Sequence, residues 1–155
     1  MWNIGESMYK LAGSDEKLNS LINKALQTGL RPKDFVVVGS GAIKIHYPEK
    51  FREIDDLDIA IYPSGVRRMR KAAKEGLVVP GKHGKNSYKT QDDEVEMWDR
   101  WGDVPLRKHK KDIVRVGDYQ SISLDNILGF KVRANRPKDI DDIKFIRSAL
   151  SGSDS

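Results

Sequence analysis

Three groups of residues in this 155-residue chain have types and spacings suited to chemistry on phosphates. Asp56 and Asp58 flank Leu57 at the head of an apolar run. Residues two apart on a strand share a face, so a strand over Leu57 to Tyr62 puts these two carboxylates side by side and turns Leu57, Ile59 and Ile61 to the core. Adjacent carboxylates repel unless a cation lies between them, and magnesium favours a few carboxylates together with waters and phosphate oxygens. The competing reading is a solvated acidic edge formed by Glu53, Asp55, Asp56 and Asp58.

The second group is Gly39-Ser40-Gly41, which follows the β-branched run Phe35-Val36-Val37-Val38. Glycines permit a tight turn and close backbone approach, and free N–H groups at the start of a following helix attract phosphate oxygens. Ser40 adds a donor, and Lys44, four positions on, shares its helical face and is expected to reach an anion held there. A plain helix-initiating turn fits the same residues. The segment is not a Walker P-loop, because it lacks that motif's glycine spacing and its Lys-Ser/Thr pair. The third group centres on Glu96: with Val95 and Met97 on one strand face, Glu96 projects from the other beside Glu94 and Trp98. A third carboxylate near the first two would complete a site for two cations. Asp92, Asp93 and Asp99 compete for that place if the register shifts, and an exposed strand face is the bland reading.

Two further charges stand where charges are unexpected. On a helical wheel Lys131 falls between Ile127 and Leu128, and Asp139 falls between Ile143 and Ile146, both on apolar stripes. A Lys131–Asp139 pair across the two helices would compensate both charges, since an unpaired buried charge costs several kcal/mol. An acid in a first helical turn and a snorkelling lysine are the alternatives.

The order of strand, Gly-Ser turn, paired acids and a third acid on a later strand, over roughly residues 35 to 100, resembles the nucleotidyltransferase superfamily built on the DNA polymerase beta-like fold. The phrase from Lys131 to Asp142, with Lys138 and Asp139, is similar to the later lysine and Lys-Asp motifs of its abortive-infection toxin-like branch. The resemblance implies that Gly39 and Ser40 contact a nucleoside triphosphate, that Asp56, Asp58 and Glu96 bind Mg2+ at a two-metal site that could also take Mn2+, and that Lys131 and Asp139 contribute to nucleotide binding. It implies transfer of a nucleoside monophosphate to a hydroxyl on RNA or tRNA, a protein or a small molecule. A fold that has lost turnover and binds RNA or a protein partner is the alternative. The chain is shorter than most members of that branch, and their extra C-terminal helical domain is expected to be absent, with the acceptor-binding part missing or supplied by a partner.

The elements that must position these groups follow from periodicity. Leu18, Leu21, Ile22, Ala25 and Leu26 predict an amphipathic helix over 14–28 with Ser14 as N-cap and Gly29 as stop. Ala42 to His46 reads as a short helix, and Pro63-Ser64-Gly65 as the stop of the acid-bearing strand, before a basic helix from Val66 to Glu75. Leu77 to Val79 reads as a short strand, Gly81 to Gln91 as a loop or mobile hairpin, and Arg107 to Lys111 as a basic loop. Two closing helices are marked by Leu124, Ile127 and Leu128, and by Ile140, Ile143, Ile146 and Leu150, with Pro137 in the first turn of the second. The expected fold is α/β (α+β), a small mixed β-sheet flanked by helices, in one domain over 1–150 with a disordered tail over 151–155.

Composition bounds the chemistry further. The absence of cysteine excludes disulfides and thiolate chemistry, so any metal is held by oxygen or histidine, and His46, His83 and His109 have no ligand spacing. No apolar run is long enough to cross a bilayer and no signal-peptide pattern stands at the N-terminus, so a cytoplasmic protein is expected, with no membrane partner. The net charge of +5 suits a polyanionic partner and equally suits solubility. The basic stretches Arg67 to Lys74 and Arg107 to Lys111 could follow an RNA backbone, and Trp98, Trp101 and Tyr88 could stack on bases; a solvated helix face and core aromatics are the favoured alternatives.

Overall fold

A computed structural model describes residues 15–152. Its architecture is mixed α+β, as expected, with a seven-stranded mixed sheet in the order β3-β4-β5-β2-β1-β9-β8. The centre of the sheet carries the chemistry-bearing strands. Strand β1 (Phe35–Val38) pairs antiparallel with β2 (Leu57–Ile61), and β2 pairs parallel with β5 (Val95–Trp98). Outward from β5 lie β4 (Ser87–Thr90) and β3 (Val78–Pro80), both antiparallel; beyond β1 lie β9 (Tyr119–Ile122), parallel to β1, and β8 (Ile113–Val116). A separate two-stranded ribbon, β6 (Arg100–Trp101) with β7 (Val104–Pro105), follows directly on β5.

Every residue of β1 is buried, and every residue of β2 except Asp58. Such continuous apolar strands need cover on both faces. Helix α1 (Glu16–Gln27) contributes Leu18, Leu21, Ile22 and Ala25 to the core, and α2 (Gly39–His46) contributes Ala42, Ile43 and Ile45. Helix α3 (Pro63–Lys74) adds Val66, Met69 and Ala72, while α4 (Leu124–Ala134) and α5 (Ile140–Ser151) contribute Ile127 and Ile146.

Several local expectations are corrected. Ser14 lies outside the described residues, and the N-cap of α1 is Asp15, whose carboxylate accepts from the Leu18 N–H at 2.6 Å. Strand β2 ends just before Pro63-Ser64-Gly65, as expected, but these residues also form the first turn of α3, where proline's missing N–H is no loss. Of the two readings of 81–91 the hairpin holds and the loop does not, since residues 81–86 turn between the antiparallel β3 and β4, and Arg107 to Lys111 lies in a 3-10 helix (Leu106–Asp112). Pro137 sits in a separate 3-10 turn (Pro137–Asp139) ahead of α5, and α5 buries Ile146 while exposing Ile140 and Leu150. Ser151 closes α5 and Gly152 caps it at φ 76°, so the tail expectation fails for Ser151; positions 153–155 lie outside the described residues. Strands β8 and β9 were not anticipated, although Gly117-Asp118 between them is a turn signal and Gly117 takes φ 61°.

Gly65 seats α3 on β2. A Cβ there would lie 2.8 Å from the Asp34 carbonyl oxygen and 2.9 Å from Ile61 Cβ, neither of which can swing away. Alanine at a helical position normally gains about 1 kcal/mol over glycine, but this overlap outweighs that gain at the about 1–3 kcal/mol typical of overpacking. Gly65→Ala should therefore lower stability by up to about 2 kcal/mol, read from urea unfolding; a raised midpoint would mean that α3 is not held this closely.

Candidate functional site

Strand β1 ends at Val38, and the chain turns into α2 through Gly39 at φ 63°, a left-handed conformation that a side chain would strain. A Cβ on Gly39 would stand 3.6 Å from Asp58 Oδ2, so the turn lies against this carboxylate. Asp58 pairs with Val38 on one side of β2 and with Glu96 on the other. In a parallel pair, residues in register present the same face, so Asp58 and Glu96 are neighbours. Asp56, just before β2, is exposed. All these residues line one cleft of about 770 Å³, with Ser40, Lys131 and Asp139 on its other wall. That volume accommodates a nucleotide-sized ligand.

Asp58 opens onto the cleft, yet protein atoms crowd it. Burial raises its pKa, the negative charges of Asp56 and Glu96 raise it further, and Lys82 and His83 oppose the shift. Neither Asp56 nor Asp58 has a hydrogen-bond or ion-pair partner among the described residues. Glu96 does. It accepts from the Lys82 backbone N–H at 3.0 Å, with Lys82 Nζ at 3.6 Å and His83 Nε2 at 3.9 Å. The His83 ring stacks on Trp98 at 4.3 Å, which holds the 81–86 turn over the acids. The three acids thus border one cleft without being drawn together: among the described residues no group of three His, Asp or Glu is arranged to hold a metal ion.

The opposite wall is a network of compensated charges. The Arg52 guanidinium grips Asp142 at two points, each 2.9 Å, and donates to Ser40 Oγ at 3.1 Å. Ser40 in turn donates to Asp142 Oδ2 at 3.4 Å. Lys131 Nζ lies 2.8 Å from Asp139 and 3.3 Å from Asp142, and Arg136 Nε lies 2.6 Å from Asp139. The expected Lys131–Asp139 pair forms, although Asp139 stands in the 3-10 turn ahead of α5 and not within that helix. Burial alone would push both aspartates up, but hydrogen bonds from Lys131 and Arg136 to Asp139, and from Arg52 to Asp142, outweigh it and hold both below the usual carboxylate range. Arg52 and Asp142 were not recognised from the sequence. Asp142 lies three residues beyond Asp139 on the same helical face, and that spacing was the available signal.

Lys44 is corrected. Only 3% exposed, it points away from the cleft. Its ammonium donates to the Phe51 carbonyl at 2.7 Å and lies 3.4 Å from Asp15, so it ties the chain after α2 to the start of α1. A buried ammonium has to be compensated where it is buried, and here that place is behind the turn. Lys138 does border the cleft, is exposed, and has no ion-pair partner among the described residues. Of the aromatics, Trp98 and Trp101 line the cleft and Tyr88 does not; Trp101 packs on Phe130 at 4.5 Å.

No protein-family model, no curated protein and no solved structure matches this chain. Among the described residues no helix is long and apolar enough to cross a membrane.

Lys131→Met removes a cation from two buried carboxylates and should cost about 3–5 kcal/mol in urea unfolding. Because Asp139 and Asp142 have depressed folded-state pKa values, their stabilisation is present above the unfolded value of about 3.9 and is lost as pH falls through the folded values. The melting temperature should drop steeply below about pH 4 and less so in Asp142→Asn. For Lys44→Met the expected loss is about 1–3 kcal/mol of stability, with ligand affinity at the cleft unchanged; weakened binding in a folded variant would return Lys44 to the site.

Proposed function

We propose that the cleft binds a nucleoside triphosphate with a divalent cation and transfers its nucleoside monophosphate to a hydroxyl acceptor. One juxtaposition carries it: Asp58, the single exposed residue of a buried strand, stands between the Gly39-Ser40 turn and Glu96. A carboxylate without a protein partner, crowded by two like charges, is a binding element for a cation and stabilises nothing by itself. The resemblance in motif order supports the same reading.

Oxygen ligands alone suit Mg2+, with Mn2+ as a substitute, and Asp56 and Asp58 would hold it, joined by Glu96 once Lys82 and His83 release that side chain. The bound ion would supply charge neutralisation at the phosphates and a more acidic acceptor hydroxyl. The chain's own groups do the positioning. The backbone N–H groups opening α2 would face the phosphates, Ser40 Oγ would join them by turning its proton away from Asp142, and Lys138 and Lys82 bring positive charge to the rim. The Glu96 carboxylate accepts the acceptor's proton as the new O–P bond forms, the bond between the α-phosphorus and its bridging oxygen breaks, and pyrophosphate leaves. Trp98 and Trp101 offer faces for the base. Lys131 and Asp139, each with its charge compensated within the wall, hold that wall in shape.

A binding module without turnover is the second reading. It is favoured by the engagement of Glu96 with Lys82 and His83. Calorimetry with Mg2+ and each triphosphate separates the two, because a module that binds only RNA or protein shows no metal-dependent nucleotide binding.

Incubation with α-phosphate-labelled triphosphates and total cellular RNA and protein should label one acceptor class. Asp56→Asn and Asp58→Asn should each reduce that labelling by about a thousandfold or more, and Ser40→Ala by about ten- to a hundredfold; undiminished labelling in folded Asp58→Asn would sink the mechanism. Since the folded-state pKa of Asp58 is raised, its ionised form works against folding above that pKa. Without divalent cations Asp58→Asn should therefore melt higher than wild type at pH 7, and Mg2+ should raise the melting temperature of wild type only.

A further inference from the structure

A second groove, of about 350 Å³, lies between α3 and the Leu106–Asp112 turn. Its floor is Ile61, Tyr62, Val66 and Leu106, and its rim carries Arg67, Arg70 and Arg107. All three arginines are exposed. Arg67 and Arg107 have no hydrogen-bond or ion-pair partner among the described residues, while Arg70 donates only to the Asn86 side-chain oxygen at 3.3 Å. Their neighbour Arg68 differs, being engaged with the buried Asp34 at 3.1 Å. The groove's single acid, Asp99, accepts from Asn86 Nδ2 at 3.0 Å.

The charge is concentrated here. Helix α3 and the 106–112 turn hold nine of the chain's 28 lysines and arginines with one acid, Asp112, while the whole chain is only +5. Like charges at this density repel one another, and the fold pairs almost none of them. On α3, Arg67, Arg70 and Lys74 recur at about one helical turn, or ~5 Å, which gives a row of cations suited to a row of regularly spaced anions. The half-buried ring of Tyr62 adds an aromatic surface of the kind on which unpaired bases stack. The groove and the cleft share a ridge: Asp99 faces the groove while Trp98 and Arg100 face the cleft, and across the 81–86 turn Asn86 faces one and Lys82 and His83 the other.

We propose that this groove binds the sugar–phosphate backbone of a single-stranded nucleic acid, with Arg67, Arg70 and Arg107 on its phosphates. Binding there needs neither metal nor triphosphate. If the cleft transfers nucleotides as proposed above, a strand in the groove has the ridge alone between it and the acids, which makes a polynucleotide the acceptor; that extension rests on the transfer reading, and the groove itself does not.

The test is fluorescence anisotropy of a labelled 12-nucleotide oligouridylate, and of its deoxy counterpart, in EDTA without triphosphate. Wild type should bind with a marked salt dependence. The triple variant Arg67→Glu, Arg70→Glu, Arg107→Glu should bind at least about tenfold more weakly, with a log–log salt slope reduced by about 2, since each single-strand phosphate contact contributes about 0.7. A control triple with the same change in net charge, Arg115→Glu, Lys144→Glu, Arg147→Glu, should retain most of the affinity. Thermal melting checks that each variant folds, and the milder Arg67→Gln and Arg107→Gln should each show a smaller loss. Equal losses in both triples, no binding by wild type at low salt, or displacement of the oligonucleotide by polyglutamate at equal charge concentration would each overturn the assignment. Asp58→Asn should bind the oligonucleotide as wild type does, so a failure of the cleft chemistry and a failure of the groove give different results.

Discussion

Asp142 is 3% exposed and charged, and its compensation by Arg52 and Lys131 is the interaction on which the shape of the cleft depends. Arg52 belongs to the segment leading into β2, Lys131 to α4 and Asp142 to α5. Their contacts fasten the approach to the acid-bearing strand onto the two closing helices. Ser40 is bonded into the same cluster, so the turn at the head of α2 is fixed relative to the strand that carries Asp58. A buried ion network of this kind is weak as a source of net stability but strict about geometry, because any shift that separates its members leaves a charge unpaired. The strictness falls where the two walls of the cleft must keep their spacing.

The two walls treat charge in opposite ways. In the helical wall every buried acid has a cation at hydrogen-bond distance. On the sheet wall Asp58 has none, and the pairing of β2 with β5 forces it beside Glu96. Chain geometry creates that conflict: once Leu57, Ile59, Val95 and Met97 enter the core, strand alternation and parallel register bring Asp58 and Glu96 together whatever their charge. A fold selected for stability alone has no reason to keep two acids there, and unfavourable electrostatics within a cleft is a marker of function.

How much of this was legible in the sequence depends on whether the deciding interaction is local. Glu96 opposite Val95 and Met97, and Lys131 on an apolar helix stripe, follow from period two and period 3.6, and the structure places both accordingly, while Asp139 meets Lys131 from the 3-10 turn ahead of α5 and not from the helix itself. Lys44 was misread because spacing tells which face of a helix a residue occupies but not whether that face opens on a cleft; residues 41 to 45 of α2 are all buried. Arg52 escaped notice because it stands in an irregular segment with no period, and Asp142 because it follows Asp141 in what reads as an ordinary acidic helix start. The contact between Glu96 and the 81–86 turn is beyond any spacing argument, since it depends on the hairpin of β3 and β4 folding back beside β5.

That hairpin bears on how the cleft is kept in its present form. A Cβ on Gly81 would overlap Ser87 Oγ and stand only 3.0 Å from Tyr88 N and 3.1 Å from Glu96 Oε2. The turn is therefore pressed directly onto the third acid, and His83 is held by its stack on Trp98. Lys82 and His83 consequently occupy the side of Glu96 that a cation shared with Asp58 would need, and they oppose the upward shift of Asp58. Lys82 Nζ and His83 are on the exposed side of these pairs, so the pairs themselves are weak, about 0–1 kcal/mol, whereas the Lys82 N–H hydrogen bond to the half-buried Glu96 carboxylate is the firmer contact. If a cation is bound by the carboxylate oxygens of Asp56, Asp58 and Glu96, as proposed above, Glu96 would have to give up these contacts, and the side chains released would remain at the cleft rim.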